Sequence, residues 1–225
     1  MKTISSRQNA LYKRVRRAID EHAEEIAIEG RKSVDDAIAN GWKPIAVVER
    51  DTTFTHALFD SLADTKASQG VIALFERPRY SSVLDDRIVV ALDGVQDPGN
   101  VGTIVRLAAA FDAGGVVLLP GSADAYGPKA IRASVGAILS VPVVTMSREE
   151  LLARDWPLFA ADANGEAIDP PSQRSVIVFG NEGSGVSPEI ASRAKKIAIP
   201  MSKRVESLNV AASAAILLSR SYARR

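Results

Sequence analysis

The segment VIVFGNEGSGVSPEI, residues 176–190, feeds a β-branched apolar run into three glycines, Gly180, Gly183 and Gly185. Ser187 and Pro188 then form a helix start, with serine as cap and proline at the first helical position. Glycines in such a loop permit positive φ and close backbone approach to a ligand. The spacing is not that of a dinucleotide fingerprint, and the Gly-Lys-Ser/Thr of a P-loop is absent. Glu182 sits among the glycines, where it would repel a pyrophosphate.

Two further stretches carry polar groups beside apolar runs. In LDGVQDPGNVGTIVRLAAAF, residues 92–111, Asp97-Pro98-Gly99-Asn100 reads as a turn with Pro at i+1 and Gly at i+2. Asn100 then caps a helix through Phe111. On that helix Val101, Ile104, Val105, Ala108 and Phe111 share one side, and Arg106 lies off the stripe. Asn100 as a cap and Arg106 as a surface cation are the plain readings of both. In AIPMSKRVESLNVAASAAILL, residues 198–218, a small, apolar helix is expected from Ser207. Its pattern predicts burial, so Asn209 in the first turn is a buried amide needing partners. Ser207 reads as the cap, and both present donors or acceptors at the positive end of a helix.

These loops must be held by regular elements, and the period of the apolar residues supplies them. Strands are expected at 25–29, 44–49, 71–75, 88–92, 116–120, 141–144, 157–161, 175–179 and 196–200. Helices are expected from a cap at Ser5, Ser6 or Asn9 through Ile19, at 33–39, 55–62, 100–111, from Pro128, at 148–153, at 188–194 and from Ser207. This order predicts an α/β fold, a mostly parallel sheet with helices on both faces, preceded by a small α/β unit. Residues 1–79 form the first unit, 80–87 a linker with proline, serine and charge around it, and 88–225 the second. All three polar loops follow strands, where open α/β sheets place their ligands.

Composition narrows the chemistry. The chain has 225 residues, 46% hydrophobic, with no cysteine and only two histidines, His22 and His56. Thiolate nucleophiles, disulfides and Fe–S clusters are excluded, and the C-terminal two-thirds lacks any histidine base or ligand. No metal site is expected, and no apolar run is long enough to cross a membrane. The N-terminus has no apolar core of a secretory leader, so a cytoplasmic location is expected. Net charge is +1, but it is segregated. Lys2, Arg7, Lys13, Arg14, Arg16 and Arg17 precede the first acid, Asp20, and Arg220, Arg224 and Arg225 lie in the tail. Lys13, Arg14, Arg16 and Arg17 are the candidate contacts for an anionic partner such as RNA; a solvated helix face is the plain alternative.

The three polar loops together resemble the signature motifs of the SpoU/TrmH family of RNA ribose 2′-O-methyltransferases, in the SPOUT superfamily. DPGNVGTIVRLAAAF looks like the first motif, FGNEGSGV the second and IPMSKRVESLNVAASA the third. ISSRQNALYKRVRR, followed by AIEGRKSVDDAIANG and IAVV, looks like the family's ribosomal-protein-like, L-thirty-e type substrate domain. The resemblance implies a C-terminal trefoil knot, S-adenosylmethionine as cofactor, an RNA substrate and a homodimer with the site near its interface. Residue by residue, it implies catalytic roles for Asn100, Arg106, Glu182, Ser207 and Asn209. It implies cofactor-holding positions at Gly180, Ile199, Met201 and Leu208. Lys203 and Asp112 stand where the family commonly has glycine. A substrate domain favours ribosomal over transfer RNA. An RNA-binding protein of the same fold without turnover is the alternative, and a nucleotide-dependent oxidoreductase is disfavoured by the glycine order.

Overall fold

The computed structural model describes residues 3–63, 68–83, 86–171, 173–202 and 204–224. Lys2, Lys203 and Arg225, named above, lie outside the described residues, as do positions 84 and 85 of the expected linker.

The first unit is α1 (Ala10–Asp20), β1 (Glu25–Glu29), α2 (Arg31–Ala39), β2 (Pro44–Glu49), α3 (His56–Asp60) and β3 (Val71–Glu76). Asn9 is the cap of α1: its side chain accepts from the Leu11 N–H at 2.8 Å. The three strands form an antiparallel sheet in the order β1-β3-β2.

The second unit contains β4 (Ile88–Asp93), α4 (Pro98–Ala110), β5 (Gly115–Leu119), α5 (Pro128–Ser134) and β6 (Val143–Thr145). It continues through α6 (Arg148–Leu152), β7 (Leu158–Glu166), β8 (Ser175–Gly180), α7 (Pro188–Ala191), β9 (Lys195–Ile197) and α8 (Val210–Tyr222). Its six strands run β6-β5-β4-β8-β7-β9, and every pairing is parallel. Alternate strand residues face opposite sides. Val90, Leu92, Val116, Leu118, Ile177 and Phe179 pack with α4, α5 and α8. Val89, Ala91, Val117, Leu119, Val176 and Val178 pack with α6 and α7. The expected helices on both faces are therefore present, and the sheet of this unit is wholly parallel.

The strand order reverses between β4 and β8, with Asp93 opposite Gly180 at their C-terminal ends. A crevice at such a reversal is where an open α/β sheet binds its ligand.

The two sheets share apolar packing. Ile28 and Phe75 of the first unit join the core that holds Tyr126 and Ile131 of the second. Beside it, Asp124 pairs with Arg77 and accepts from His22 Nδ1 at 2.6 Å. Burial pushes the Asp124 carboxyl up, but bonds from Arg77 and the Tyr126 N–H outweigh this and leave it below the ordinary range.

Local expectations at the starts of α4 and α8 are corrected. Asp97, not Asn100, caps α4: its carboxylate accepts from the Asn100 N–H at 3.0 Å, and Pro98 is the first helical residue. There is no type II turn before that helix. Asn209, not Ser207, caps α8, accepting from Ala211 N and Ala212 N at 2.9 and 3.3 Å. Asn209 is exposed rather than buried, and only one face of α8 is buried, through Ala211, Ala214, Leu217, Leu218 and Ser221.

Candidate active site

The site is built at the ends of β4 and β8. After β4, Gly94 turns with φ +78 and donates its N–H to Ser122 Oγ at 3.0 Å, while that hydroxyl donates to Leu92 O at 2.7 Å. Capping by Asp97 leaves Asn100 in the first turn of α4 with its side chain free to bond across the crevice. Its Nδ2 donates to Glu182 Oε1 at 2.9 Å. Its Oδ1 accepts from Asn209 Nδ2 at 3.2 Å. Since the Asn209 oxygen is committed to the N–H groups of α8, its amide nitrogen must face Asn100. The chain Asn209–Asn100–Glu182 thus has one direction and ends on a carboxylate.

Glu182 also accepts from the Gln96 N–H at 3.3 Å. Burial pushes its carboxyl up, but hydrogen bonds from Asn100 and from backbone N–H groups, including that of Gln96, more than offset it. The net shift is below the ordinary value of 4.5, so the group is a fixed negative charge at neutral pH and a weak base. The linkage has a definite sign. A depressed carboxylate contributes stability above its unfolded pKa and loses it as pH falls through the folded pKa. Glu182→Gln is therefore expected to be less stable than wild type at pH 7. The gap should narrow as pH drops below 4.5, which thermal melts from pH 7 to pH 3 would read.

The loop carrying Glu182 is tightly closed. Asn181 N donates to Gly185 O at 3.0 Å and Gly185 N to Asn181 O at 2.9 Å. Asn181 Oδ1 accepts from the Gly183 and Ser184 N–H groups at 2.9 and 3.0 Å, and its Nδ2 donates to Gly94 O at 2.9 Å. Sequence reasoning missed Asn181, although Asn two residues before Gly is a recognisable turn former.

A cleft of about 740 Å³ opens beside these groups. All four positions expected to hold the cofactor, Gly180, Ile199, Met201 and Leu208, line it, together with Glu182, Ser207 and Asn209. Asn100 meets its rim through Glu182 and Asn209. The cleft also takes in residues 161–164 of β7, which the sequence reading ended at 161. Their signal was the Asp-Ala-Asn-Gly run that follows the apolar residues. There Asp162 is paired with Lys196 at 2.9 Å, and its carboxyl is held below the ordinary range chiefly by that lysine. Phe179, Ile197, Val210 and Leu217 supply apolar walls. A cleft with apolar walls, polar edges and a carboxylate at its mouth fits a ligand that carries both apolar surface and a positive charge.

Arg106 is not part of the cleft. It is exposed on α4, six residues from Asn100, which is about 9 Å along the helix and roughly 120° around it. In the basic N-terminal segment, Arg14 is held by Glu25, with Nε at 3.0 Å and a terminal nitrogen at 2.5 Å. Arg16 donates to Asp20 at 2.8 Å. Lys13 and Arg17 are exposed. Among the described residues no helix is long and apolar enough to cross a membrane.

A family model described as the SpoU rRNA Methylase family matches residues 87–219, the whole of the parallel-sheet unit except its last turn. The chain belongs to this family. Among SpoU relatives, a 23S rRNA (guanosine(2553)-2′-O)-methyltransferase of Bacillus subtilis is 34% identical over 168 residues, covering 71% of this chain and 67% of that protein. A 23S rRNA (adenosine(1067)-2′-O)-methyltransferase of Streptomyces laurentii is 44% identical over 143 residues, covering 59% of this chain and 53% of that one. The crystal structure of an AdoMet-bound rRNA methyltransferase from Sinorhizobium meliloti superposes with a TM-score of 0.87 at 26% identity. That match covers 99% of this chain and 98% of the other, so it includes the first unit as well as the SpoU unit.

Proposed function

We propose that this SpoU protein transfers a methyl group from S-adenosylmethionine to a ribose 2′-hydroxyl of structured RNA, ribosomal rather than transfer RNA. The observation that carries the reading is the hydrogen-bonded chain Asn209–Asn100–Glu182, which joins all three polar loops at the mouth of one cleft. The ribosomal preference rests on the two relatives described above, which are named for 23S rRNA.

Bound in the cleft, S-adenosylmethionine supplies a methyl group activated by a sulfonium. Gly180, Ile199, Met201 and Leu208 would hold it. Glu182, ionised at neutral pH, favours a cation at the mouth, and the Asn100 and Asn209 amides fix that carboxylate's position. Ser207, on the cleft wall, shapes the same mouth. Arg106 orients the RNA phosphate and hydroxyl; a guanidinium stays protonated and is a poor base, so the hydroxyl proton leaves to water or to a substrate phosphate. Most of the rate comes from holding nucleophile and methyl in line, which needs neither thiol nor imidazole.

The same reading divides the chain into an RNA substrate unit at 1–79, a linker at 80–87 and a methyltransferase unit at 88–225. The first unit is ribosomal-protein-like, of the L-thirty-e type. RNA contacts fall to Lys13, Arg14, Arg16 and Arg17, with Lys13 and Arg17 foremost because the other two are engaged with carboxylates. The chain around the second and third polar loops threads through a loop as a C-terminal trefoil knot, as the family resemblance implies. The protein is a cytoplasmic homodimer. An exposed face of small and apolar residues, Ala109 and Ala110 of α4 with Ala212, Ser219 and Tyr222 of α8, supports pairing there. Arg106 borders that face.

Incubation with methyl-labelled cofactor and ribosomal RNA is expected to give alkali-resistant dinucleotides. RNA binding without label transfer would mean that the fold is kept and turnover is lost.

A further inference from the structure

Asp93 ends β4 with its side chain wholly buried. A buried carboxylate is tolerated only when its oxygens are fully engaged. Here they are engaged with two different segments. Oδ1 accepts from Arg148 Nε at 2.8 Å and lies 2.7 Å from a terminal nitrogen of the same guanidinium. Oδ2 accepts from the backbone N–H of Ser187 at 2.7 Å. Arg148, the first residue of α6, also donates to Pro120 O at 3.0 Å, so the guanidinium is itself anchored.

Ser187 is the far end of the loop that carries Glu182. The near end is tied by Asn181 to Gly94 O. Both legs of the loop are therefore fastened to adjacent residues, 93 and 94, at the end of one strand. The Ser187 hydroxyl is buried and has no partner among the described residues, so the tie is made by the backbone and not by the side chain. An ion pair that only closed the end of the strand would turn both oxygens to Arg148. Splitting them holds the loop as well.

We propose that Asp93 is a positioning residue for Glu182: with Arg148 as its fixed counter-ion, it sets the height of the 181–187 loop and so the place of the carboxylate at the cleft mouth. This rests on the methyl-transfer reading above. Asp93→Asn keeps one acceptor oxygen and presents an amide N–H₂ to two donors. The cationic Arg148 claims the oxygen, and the Ser187 leg is released. A shift of about 1 Å at a reacting centre costs about 10²-fold in rate, so kcat is expected to fall by that order with KM for RNA unchanged. Ser187→Pro tests the other half of the tie. Its φ of −57 suits proline, the N–H is removed, and the ring Cδ that takes the hydrogen's place displaces Asp93 Oδ2, while Oδ1 keeps its bonds to Arg148. The same fall in kcat is expected. Ser187→Ala, which keeps the N–H, should lose much less.

Amide hydrogen exchange across 181–187 reads the tie without activity, and it should quicken in Asp93→Asn and Ser187→Pro. Folded variants with wild-type kcat and unchanged exchange would overturn the proposal. So would equal losses in Ser187→Ala and Ser187→Pro, or a loss confined to melting temperature. If Ser187→Pro does not fold, exchange and kcat in Asp93→Asn decide. Absence of transfer by the wild type would instead fail the methyl-transfer reading, while exchange would still report on Asp93.

Discussion

Arg106→Ala is expected to lower methyl transfer by about 10²–10³-fold, the size of effect seen when one preorganised donor is removed from a reacting centre. Cofactor affinity and melting temperature should stay at wild-type values. The separation follows from where the residue sits. Arg106 is exposed on α4 and lines no part of the cleft that Gly180, Ile199, Met201 and Leu208 enclose. Its apolar neighbours Val101, Ile104, Val105 and Ala108 do the packing, so truncation leaves no cavity. On the proposed mechanism, what it loses is a cation facing substrate. Removing one phosphate contact should also reduce the salt slope of RNA binding by about one. Arg106→Lys keeps the charge but not the planar fork, and only part of the rate should return. Asn100→Ala is expected to behave differently. It breaks the chain to Glu182 and to Asn209 at once, so cofactor affinity should fall together with rate. If Arg106→Ala turns over like wild type, the catalytic assignment fails; if it loses cofactor instead, Arg106 belongs to the cleft.

The contrast between these two residues also shows what the sequence could and could not carry. The positions of the strands were legible because buried parallel strands are short β-branched runs, such as VVLL and SVIVF, bounded by turn residues. The proline at 98 was ambiguous for a physical reason. The same fixed φ of about −65° suits position i+1 of a turn and the first residue of a helix. Asp97 decides between them, since its carboxylate reaches the Asn100 N–H and starts the helix three residues early. That shift turns Asn100 from a cap into the bridge of the site. At α8 the composition misled in another way. Small apolar residues on most faces describe a helix buried all round, but they equally describe one buried on the sheet side and left open on the other. Exposure of Asn209 depends on which applies. Asp93 and Asn181 were invisible as site residues because their partners, Ser187 and Gly94, lie 94 and 87 residues away. Spacing along the chain encodes neighbours on one element, and these bonds join two.

Gly180→Ala is expected to damage both the fold and the cleft, and the other two glycines of its loop supply the controls. A Cβ at Gly180 would lie 2.1 Å from Gly185 C and 2.2 Å from Val186 N. These are backbone atoms, held by the Asn181–Gly185 bridge and by the tie at Ser187, and cannot swing aside as a side-chain tip would. Overpacking a close-packed site costs about 1–3 kcal/mol, and a backbone clash of this depth belongs at or above the upper end. For a chain of this size, about 3 kcal/mol lowers the melting temperature by about 6–12 °C. Gly180, Gly185 and Val186 all line the cleft, so relieving the clash moves its wall, and cofactor affinity should fall at least tenfold. Gly183 meets nothing nearer than Asn181 Oδ1 at 3.5 Å, and its φ is not in the positive range. Gly183→Ala should therefore melt close to wild type. Gly185 has open space around it but a φ of +73, so alanine there costs the left-handed strain of about 1–2 kcal/mol and no overlap. Three glycines within six residues thus have three different reasons. Calorimetry with S-adenosylmethionine and thermal melts on the three variants would rank them 180, 185, 183. If Gly180→Ala melted like Gly183→Ala, the loop would have to be looser than its backbone bonds allow.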